Sequence, residues 1–322
     1  MFHQTMLRKL VLLLVALSIL SVDVSFAKTK DKKQSPKGTP VLWRTPSDIS
    51  SRDLYLGPGG SGMRPDLRQL TFLKEEKGGY SKKFRVRDAA GQEWVAKIGK
   101  ESQSETAAVR LLWGIGYLTE VNYLAPRVTI PGKGTFNNVR FEARPDGWKR
   151  TEEWKWGRNP FVGTPEFQGL KVMMALISNW DIKDSNNQIV FVDNGSKELR
   201  YIISDLGATF GHASTTPLFW RFTRSRNDPK SYARAEFLQK VKGDHVVLHY
   251  GGKNRGLFKN ITVRDAVWIA DLMSQLSDQQ IQDAFRAANY TPNQVKLLAY
   301  VVRERSNELR DLQPSIRISR NR

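Results

Sequence analysis

Two short polar motifs, separated by one predicted hairpin, constrain the fold more than any other feature of the chain. The first, Asp181–Asn186, reads Asp-Ile-Lys-Asp-Ser-Asn and follows a helical stretch. The second is Asp205-Leu-Gly, and it follows a strand-like segment. Between them, residues 188–192 and 199–203 predict two strands across a turn that contains Asn-Gly. Both motifs are therefore predicted at the ends of regular elements that face one crevice.

The side chains of these motifs suit the transfer of a phosphoryl group from a nucleotide. Asp205 and Asn186 carry hard oxygen ligands of the kind that magnesium prefers. Asp181 is in a position to orient an acceptor hydroxyl and take its proton, and Lys183 would lie beside the migrating phosphoryl group. A base, a lysine and two metal ligands thus occur in the order that this chemistry requires.

Three strands are predicted ahead of the motifs. Residues 71–75, 82–87 and 93–98 are strand-like, and glycine-containing turns at 77–81 and 88–91 separate them. The pattern predicts a three-stranded antiparallel meander.

A helix is predicted directly after this meander, with Ser104 as its N-cap and Gly114 near its end. Lys97 would lie on the third strand and Glu105 in the first turn of the helix. A carboxylate on the packed helix can hold the long lysine side chain toward nucleotide phosphates. Taken singly, each residue has a simpler interpretation: an exposed strand lysine, and an acidic residue favoured by the helix dipole.

Asp-x-Lys-x-x-Asn at Asp181–Asn186, followed by Asp205-Leu-Gly, resembles the catalytic loop and metal-binding motif of the protein-kinase-like superfamily. By position, Lys97 and Glu105 would supply its lysine–glutamate pair, and Gly78-Gly79 would be a reduced glycine loop. The resemblance implies an α+β, two-lobed protein-kinase-like fold, with a small antiparallel-sheet N-lobe and a helical C-lobe. It also implies ATP and Mg²⁺ or Mn²⁺ in the crevice between the lobes.

Several positions depart from conventional protein kinases. Asn179-Trp180 stands where those enzymes have His-Arg, Leu206 replaces the usual phenylalanine, and no Ala-Pro-Glu tripeptide follows. These traits are similar to the atypical branches, such as secretory-pathway, phosphatidylinositol kinase-like and HipA-like kinases. The acceptor class therefore stays open among hydroxyl groups of proteins, lipids and glycans, and regulation by activation-loop phosphorylation is not expected.

The N-terminus reads as a secretory signal peptide. Arg8 and Lys9 precede the apolar run 10–20, and Ser25-Phe-Ala27 offers a small-x-small cleavage site. An uncleaved anchor is the alternative, and either interpretation places the body of the protein outside the cytoplasm, secreted or periplasmic. No later apolar run approaches the length of a membrane helix, so the mature chain is predicted to lack a transmembrane span.

The rest of the chain divides by composition. The glycine-rich stretch 57–62 is interpreted as a flexible surface loop, because no helix start or Gly-Lys-Ser/Thr follows it. Helices beginning near Thr164, Thr262, Ser277 and Thr291 are predicted as scaffold. The predicted organisation is a signal peptide at 1–27, a basic disordered arm and extended approach segment at 28–69, the N-lobe at 70–160, the C-lobe at 161–312 and a basic tail at 313–322.

Composition sets two further bounds. The 322-residue chain has no cysteine, which excludes disulfides, thiolate nucleophiles and cysteine-based metal sites. Its net charge of +19 attracts anionic surfaces and polymers, but no recognised nucleic-acid module accompanies the charge, so specific nucleic-acid binding is not predicted.

Three hypotheses remain from the sequence. The first is a secreted atypical kinase that moves phosphate from ATP to a hydroxyl acceptor. The second is a secreted pseudokinase or basic binding module that docks an anionic partner without catalysis. The third is a basic envelope protein with no nucleotide site.

Overall fold

A computed structural model of the chain describes residues 36–78, 81–213 and 224–313. The predicted signal peptide, most of the predicted basic arm, Gly79 and the tail after residue 313 lie outside the described residues. Within the described part, no helix combines the length and the apolar character needed to cross a bilayer.

Five antiparallel strands form the smaller, N-terminal lobe, and their spatial order is β2 (Thr71–Glu76), β3 (Lys82–Arg87), β4 (Glu93–Ile98), β6 (Gly134–Ala143), β5 (Asn122–Ile130). The predicted three-stranded meander is confirmed. Side chains alternate between the faces of these strands, as in β3, where Phe84 and Val86 are buried between exposed or half-buried neighbours. Together with Trp94 and Phe141 they belong to a core of the N-lobe. Strand β1 (Thr39–Val41) belongs to another sheet.

Helix α1 (Glu101–Gly114) follows β4, and only two of its residues are not buried. The prediction that Ser104 caps this helix is wrong. The N-cap is Lys100, four residues earlier, because Gly99 takes a left-handed φ of +132° that turns the chain sharply after β4. Ser104 lies inside the helix, and its hydroxyl donates to the carbonyl oxygen of Gly207 at 2.7 Å. Glu101, not Glu105, is the acidic residue of the first turn.

The larger lobe is mainly helical, and its local start signals behave as predicted. Thr164 caps α2 with Pro165 at the first position, and the side chains of Thr262, Ser277 and Thr291 accept hydrogen bonds from the backbone of the helices that follow them. The elements are β7 (Trp148–Arg150), α2 (Pro165–Leu176), β8 (Asn187–Asp193), β9 (Lys197–Ile203), α3 (Pro229–Arg234), β10 (Leu238–Lys242), β11 (His245–Leu248), α4 (Val263–Ser274), α5 (Asp278–Arg286) and α6 (Pro292–Arg310).

The hairpin between the two polar motifs is also confirmed. Strands β8 and β9 pair along their whole length, and β7 and β1 add to their two sides to give a four-stranded sheet in the order β1-β9-β8-β7. A short 3₁₀ turn, Asp184–Asn186, precedes β8 directly. The hairpin therefore holds the end of the first motif next to the start of the second.

The segment before β2 packs more closely than the sequence indicated. Leu42, Ile49 and Leu54 are buried in the core of the larger lobe. The first half of the glycine-rich stretch is packed and not a loose surface loop, because Gly57 is buried against Arg110 of α1, whereas Ser61 and Gly62 are exposed. A Cβ built at Gly57 would lie 2.5 Å from Arg110 Nε, and its φ of +73° also favours glycine. Only glycine therefore allows the chain this close approach.

Candidate active site

Lys97, on β4, ion-pairs with three carboxylates from two elements of the fold. Its Nζ lies 2.9 Å from Glu105 Oε2 and 3.2 Å from Glu101 Oε2, both on α1. It also lies 2.7 Å from Asp205 Oδ1, just after β9. The structure thus brings together Lys97, Glu105 and Asp205, three residues singled out in the sequence. Glu101 was not among them, although its position four residues after Lys97 was visible.

A second cation, Arg140 on β6, lies behind this lysine. The guanidinium contacts Glu105 Oε1 at 3.1 Å, Glu142 Oε2 at 2.9 Å and Glu120 Oε2 at 3.5 Å. In the register of the sheet, Arg140 on β6 lies directly opposite Lys97 on β4. We call Lys97, Glu105, Glu120, Arg140 and Glu142 the buried network. Sequence reasoning missed Arg140, although charged residues at 140 and 142 alternate with the apolar Val139 and Phe141 along this strand.

The charges of the buried network decide which of its groups are ionised. Burial acts to lower the pKa of Lys97, but the attraction of Glu105 and other carboxylates is stronger and raises the pKa. Burial raises the pKa of Glu105 to about 7, against the pull of Arg140 and Lys97. Burial also acts to raise the pKa of Asp205, yet Lys97 and Arg140 lower it overall. Asp205 is therefore ionised at neutral pH, as a metal ligand must be.

The backbone at the second motif forms a tight turn that presents Asp205. Asp205 has a left-handed φ of +53°, an uncommon conformation for a residue with a side chain. The turn is fixed from both sides: the Ser204 N–H donates to the Asn186 carbonyl at 2.9 Å, and Leu206 is fully buried. A Cβ built at Gly207 would lie 2.5 Å from Glu101 Cβ, so glycine lets α1 approach the motif. The carboxylate at 205 is thus preorganised by packing on both lobes.

Asp181 lies between two lysines. Lys183 Nζ is 2.7 Å from Asp181 Oδ2, and Lys253 Nζ is 2.7 Å from Asp181 Oδ1. We call these three residues the lysine clamp. Lys183 was singled out in the sequence, whereas Lys253 carried no local signal that connected it to Asp181.

Asn186 is oriented by the loop itself. Its side-chain Nδ2 donates to the Asp181 carbonyl at 2.7 Å, which leaves its Oδ1 as the atom for a cation. The 3₁₀ turn that carries it is anchored where Asp184 Oδ1 accepts from the Trp156 N–H at 3.0 Å. The loop therefore presents an amide oxygen without any help from a bound group.

Lys97, Asn186 and Asp205 line one cavity of about 200 Å³. A second cavity of about 300 Å³ has a more apolar wall that includes Val121, Ala143, Val190, Ile202 and Trp148. The two cavities share Glu120, Arg144, Arg150, Gln188 and Ser204 as common lining residues. A charged compartment beside a more apolar one suits a ligand with a phosphate end and a flat, uncharged end.

The donors in the charged compartment fit a hard divalent cation. Asp205 supplies a carboxylate and Asn186 an amide oxygen, and Mg²⁺ commonly takes its remaining ligands from phosphates and water. In the described ranges, no three His, Asp or Glu side chains converge as a self-contained metal site. The two donors would therefore hold a cation together with a bound phosphate chain.

Of the two glycines predicted as a reduced nucleotide loop, the structure describes Gly78. Gly78 follows β2 with a φ of +105°, and a Cβ built there would contact no other atom within 4 Å. It is not among the residues that line either cavity. Gly79 lies outside the described residues, so the role of this loop stays a prediction.

Comparison with solved structures agrees with this architecture. No protein-family model matches the sequence, and no curated protein is similar enough to count as a relative. Among solved structures, the chain is similar to the Helicobacter pylori proinflammatory kinase CtkA, with a TM-score of 0.50 and 11% sequence identity. The match covers 79% of this chain and 98% of that one. The fold is kinase-like.

The predicted α+β, two-lobed architecture is therefore confirmed. At 11% identity the likeness shows the fold alone, so the roles of individual residues rest on the geometry of the site. Assignment to an atypical branch stays a prediction.

Proposed function

We propose that the protein is a kinase that transfers the γ-phosphoryl group of ATP to a hydroxyl group, with Mg²⁺ or Mn²⁺ as the metal. The observation that carries this proposal is the meeting of Lys97, Asn186 and Asp205 at one cavity. Those three side chains come from three separate stretches of the chain. A lysine, an amide oxygen and a carboxylate are the groups that bind the phosphates and metal of a nucleotide.

Each residue has a defined part in the proposed reaction. Lys97, held by Glu105, would contact phosphate oxygens of ATP. Asp205 and Asn186 would hold the metal, which neutralises charge on the phosphates when it is bound. Lys183 would lie beside the γ-phosphoryl group as it moves.

Asp181 would accept the proton of the acceptor hydroxyl. The acceptor oxygen then forms a bond to the γ-phosphorus, and the bond from that phosphorus to the β–γ bridging oxygen breaks. The products are the phosphorylated acceptor and ADP, with the proton on the Asp181 carboxylate. This carboxylate is only 17% exposed, although it does not line the cavity that Lys97, Asn186 and Asp205 share.

The proposal extends to where the protein acts. With the predicted signal peptide, the kinase would be exported and would act as a secreted or periplasmic enzyme. Its acceptor would carry a hydroxyl on a protein, lipid or glycan.

A pseudokinase is the second candidate, and one observation favours it. Both oxygens of Asp181 are ion-paired with lysines, so an acceptor hydroxyl reaches this carboxylate only if one lysine withdraws. A pseudokinase that binds nucleotide and an anionic partner, without transferring phosphate, would not need either lysine to leave Asp181.

Nucleotide binding is tested by thermal unfolding of the full mature chain with ATP and Mg²⁺ or Mn²⁺. We expect metal-dependent stabilisation by ATP, about 2.7 kcal/mol at 100 times the dissociation constant. It should be lost in Asp205→Ala and kept in Asp193→Ala, which removes an exposed carboxylate at the end of β8. Equal stabilisation of both variants, or none of the unmodified protein, would exclude the proposed site.

Transfer is tested separately with labelled ATP and three acceptors: dephosphorylated casein, phosphatidylinositol in vesicles and a soluble glycan. A kinase should label at least one of them, and Asp181→Asn should abolish the label while ATP with metal still stabilises the protein. Stabilisation of the unmodified protein without any labelling would support the pseudokinase.

A further inference from the structure

The lysine clamp receives Lys253 from a segment far from the catalytic loop in sequence. Two hydrogen bonds attach this segment, which follows β11. The Lys253 N–H donates to the Trp180 carbonyl at 2.9 Å, and Asn254 Nδ2 donates to the Ile182 carbonyl at 2.7 Å. A Cβ built at Gly252 would lie 2.7 Å from Trp180 Cα, so the two backbones are in close contact. Lys253 is therefore delivered to Asp181 by a fixed structure.

Two arginines, one from this segment and one from an earlier stretch of the chain, approach the backbone of this segment. Arg224 Nη2 is 3.5 Å and Arg255 Nη2 is 3.4 Å from the carbonyl oxygen of Gly251, so both guanidinium groups converge on one point. Both residues are exposed. Within the described part of the chain, neither forms an ion pair with an aspartate or a glutamate, in contrast to Arg140 with its three carboxylates. Two adjacent guanidinium groups without a carboxylate partner form a site for an anion.

The surroundings of Asp181 distinguish between classes of acceptor. A sugar would need an open aromatic face, but Trp180 is 8% exposed and the guanidinium of Arg224 lies 5.3 Å from its ring centroid.

We infer that the acceptor is an acidic peptide, in which a serine or threonine hydroxyl meets Asp181 and a neighbouring carboxylate binds Arg224 and Arg255. This inference rests on the proposed kinase function. A cavity of about 460 Å³, bounded by Trp180, Tyr250 and Gly251, adjoins the same carbonyl and offers room for a further peptide side chain. The overall charge of +19 would steer such a partner toward the protein.

Lys253 has a specific part in this arrangement. The hydroxyl needs one oxygen of Asp181, and Lys253 would release Oδ1 when the peptide carboxylate held by Arg224 and Arg255 also pairs with its ammonium group. Lys183 would stay with Oδ2 and the phosphoryl group. An acidic peptide thus supplies the charge that opens the clamp, whereas a neutral peptide leaves Lys253 bound to Asp181.

The test compares two serine peptides that differ only in glutamate or glutamine at the flanking positions, with ATP, Mg²⁺ and the full mature protein. We expect kcat/KM to be about tenfold higher for the glutamate peptide, the effect of one well-placed charge pair. The preference should nearly vanish in the double variant Arg224→Gln/Arg255→Gln. It should persist in Lys240→Gln, which removes an exposed cation on β10.

The expected loss should appear in kcat, because Lys253 stays on Asp181, as well as in the KM for the peptide, with stabilisation by ATP and metal unchanged in every variant. Equal use of the two peptides, or a preference that survives the double variant, would overturn the inference. So would transfer to phosphatidylinositol 4-phosphate in vesicles with neither peptide labelled. If ATP with metal does not stabilise the protein at all, the proposed kinase function itself has failed.

Discussion

The buried network and the lysine clamp belong to different lobes, and they differ in how much water reaches them. Lys97 and Glu105 are 3% and 1% exposed, whereas Lys183 and Lys253 are each 41% exposed. A buried ion that loses its partner is strongly destabilised, while an exposed ion can exchange its partner for water or a ligand. The comparison teaches that the network holds a fixed geometry and the clamp is the part that can change during a reaction.

The largest expected effect follows from Arg140→Met. The substitution removes a buried cation from three carboxylates that each keep another partner: Lys97 for Glu105, and Arg150 for Glu120 and Glu142. We therefore expect the free energy of unfolding to fall by about 3 kcal/mol, the lower end of the cost of breaking a buried ion pair. Urea denaturation measures this change. The control is Arg127→Met, an exposed position on the neighbouring strand β5, which should alter stability by about 0.5 kcal/mol or less. A fall of less than about 1 kcal/mol would show that the buried network is no more important for stability than the exposed lysine clamp.

Lys97→Met should cost less, about 2–3 kcal/mol, because Glu105 keeps Arg140 and the Asp205 side chain is 45% exposed and can be hydrated. The same variant should lose stabilisation by ATP and metal. Lys74→Met, at an exposed position on β2, serves as the matched control for both measurements. If Lys97→Met binds nucleotide normally, the network is structural only.

Gly207→Ala tests the link between the network and the metal motif. The new methyl group would overlap Glu101, so α1 must shift or the turn must open, at a cost of about 1–3 kcal/mol. We expect weaker binding of ATP with metal, measured by calorimetry. Gly256→Ala is the control, because a Cβ there would meet no atom within 4 Å. An unchanged affinity would show that the turn tolerates movement.

The smallest effect on stability is expected for the clamp. Lys253→Met should change the free energy of unfolding by less than about 1 kcal/mol, because half-exposed ion pairs contribute little and are screened by salt. Its effect should appear in turnover of the acidic peptide instead. A loss of stability as large as that of Lys97→Met would remove the distinction between the two clusters.

Most regular elements could be predicted because their signals are local. Thr262 and Asp265 form a capping box within one turn of α4, and Thr164 with Pro165 begins α2 in the same way. The start of α1 was misplaced at Ser104 because that hydroxyl bonds to Gly207, a partner that becomes available only after folding. Ser104 has the residue type of an N-cap, but in the folded chain its hydroxyl donates to the Gly207 carbonyl instead.

The sequence by itself determined the two motifs and the hairpin between them, because these depend on residue type and on the period of strands. The pairing of Lys97 with Glu105 was implied only by the resemblance to kinases. Only the tertiary structure decided that Arg140 stands behind Lys97 and that Lys253 reaches Asp181. Both contacts join distant segments through sheet register and backbone packing. The strength of an ion pair in a crevice depends on which charged groups lie close together and on how far water is excluded from them. No local pattern of residues carries that information.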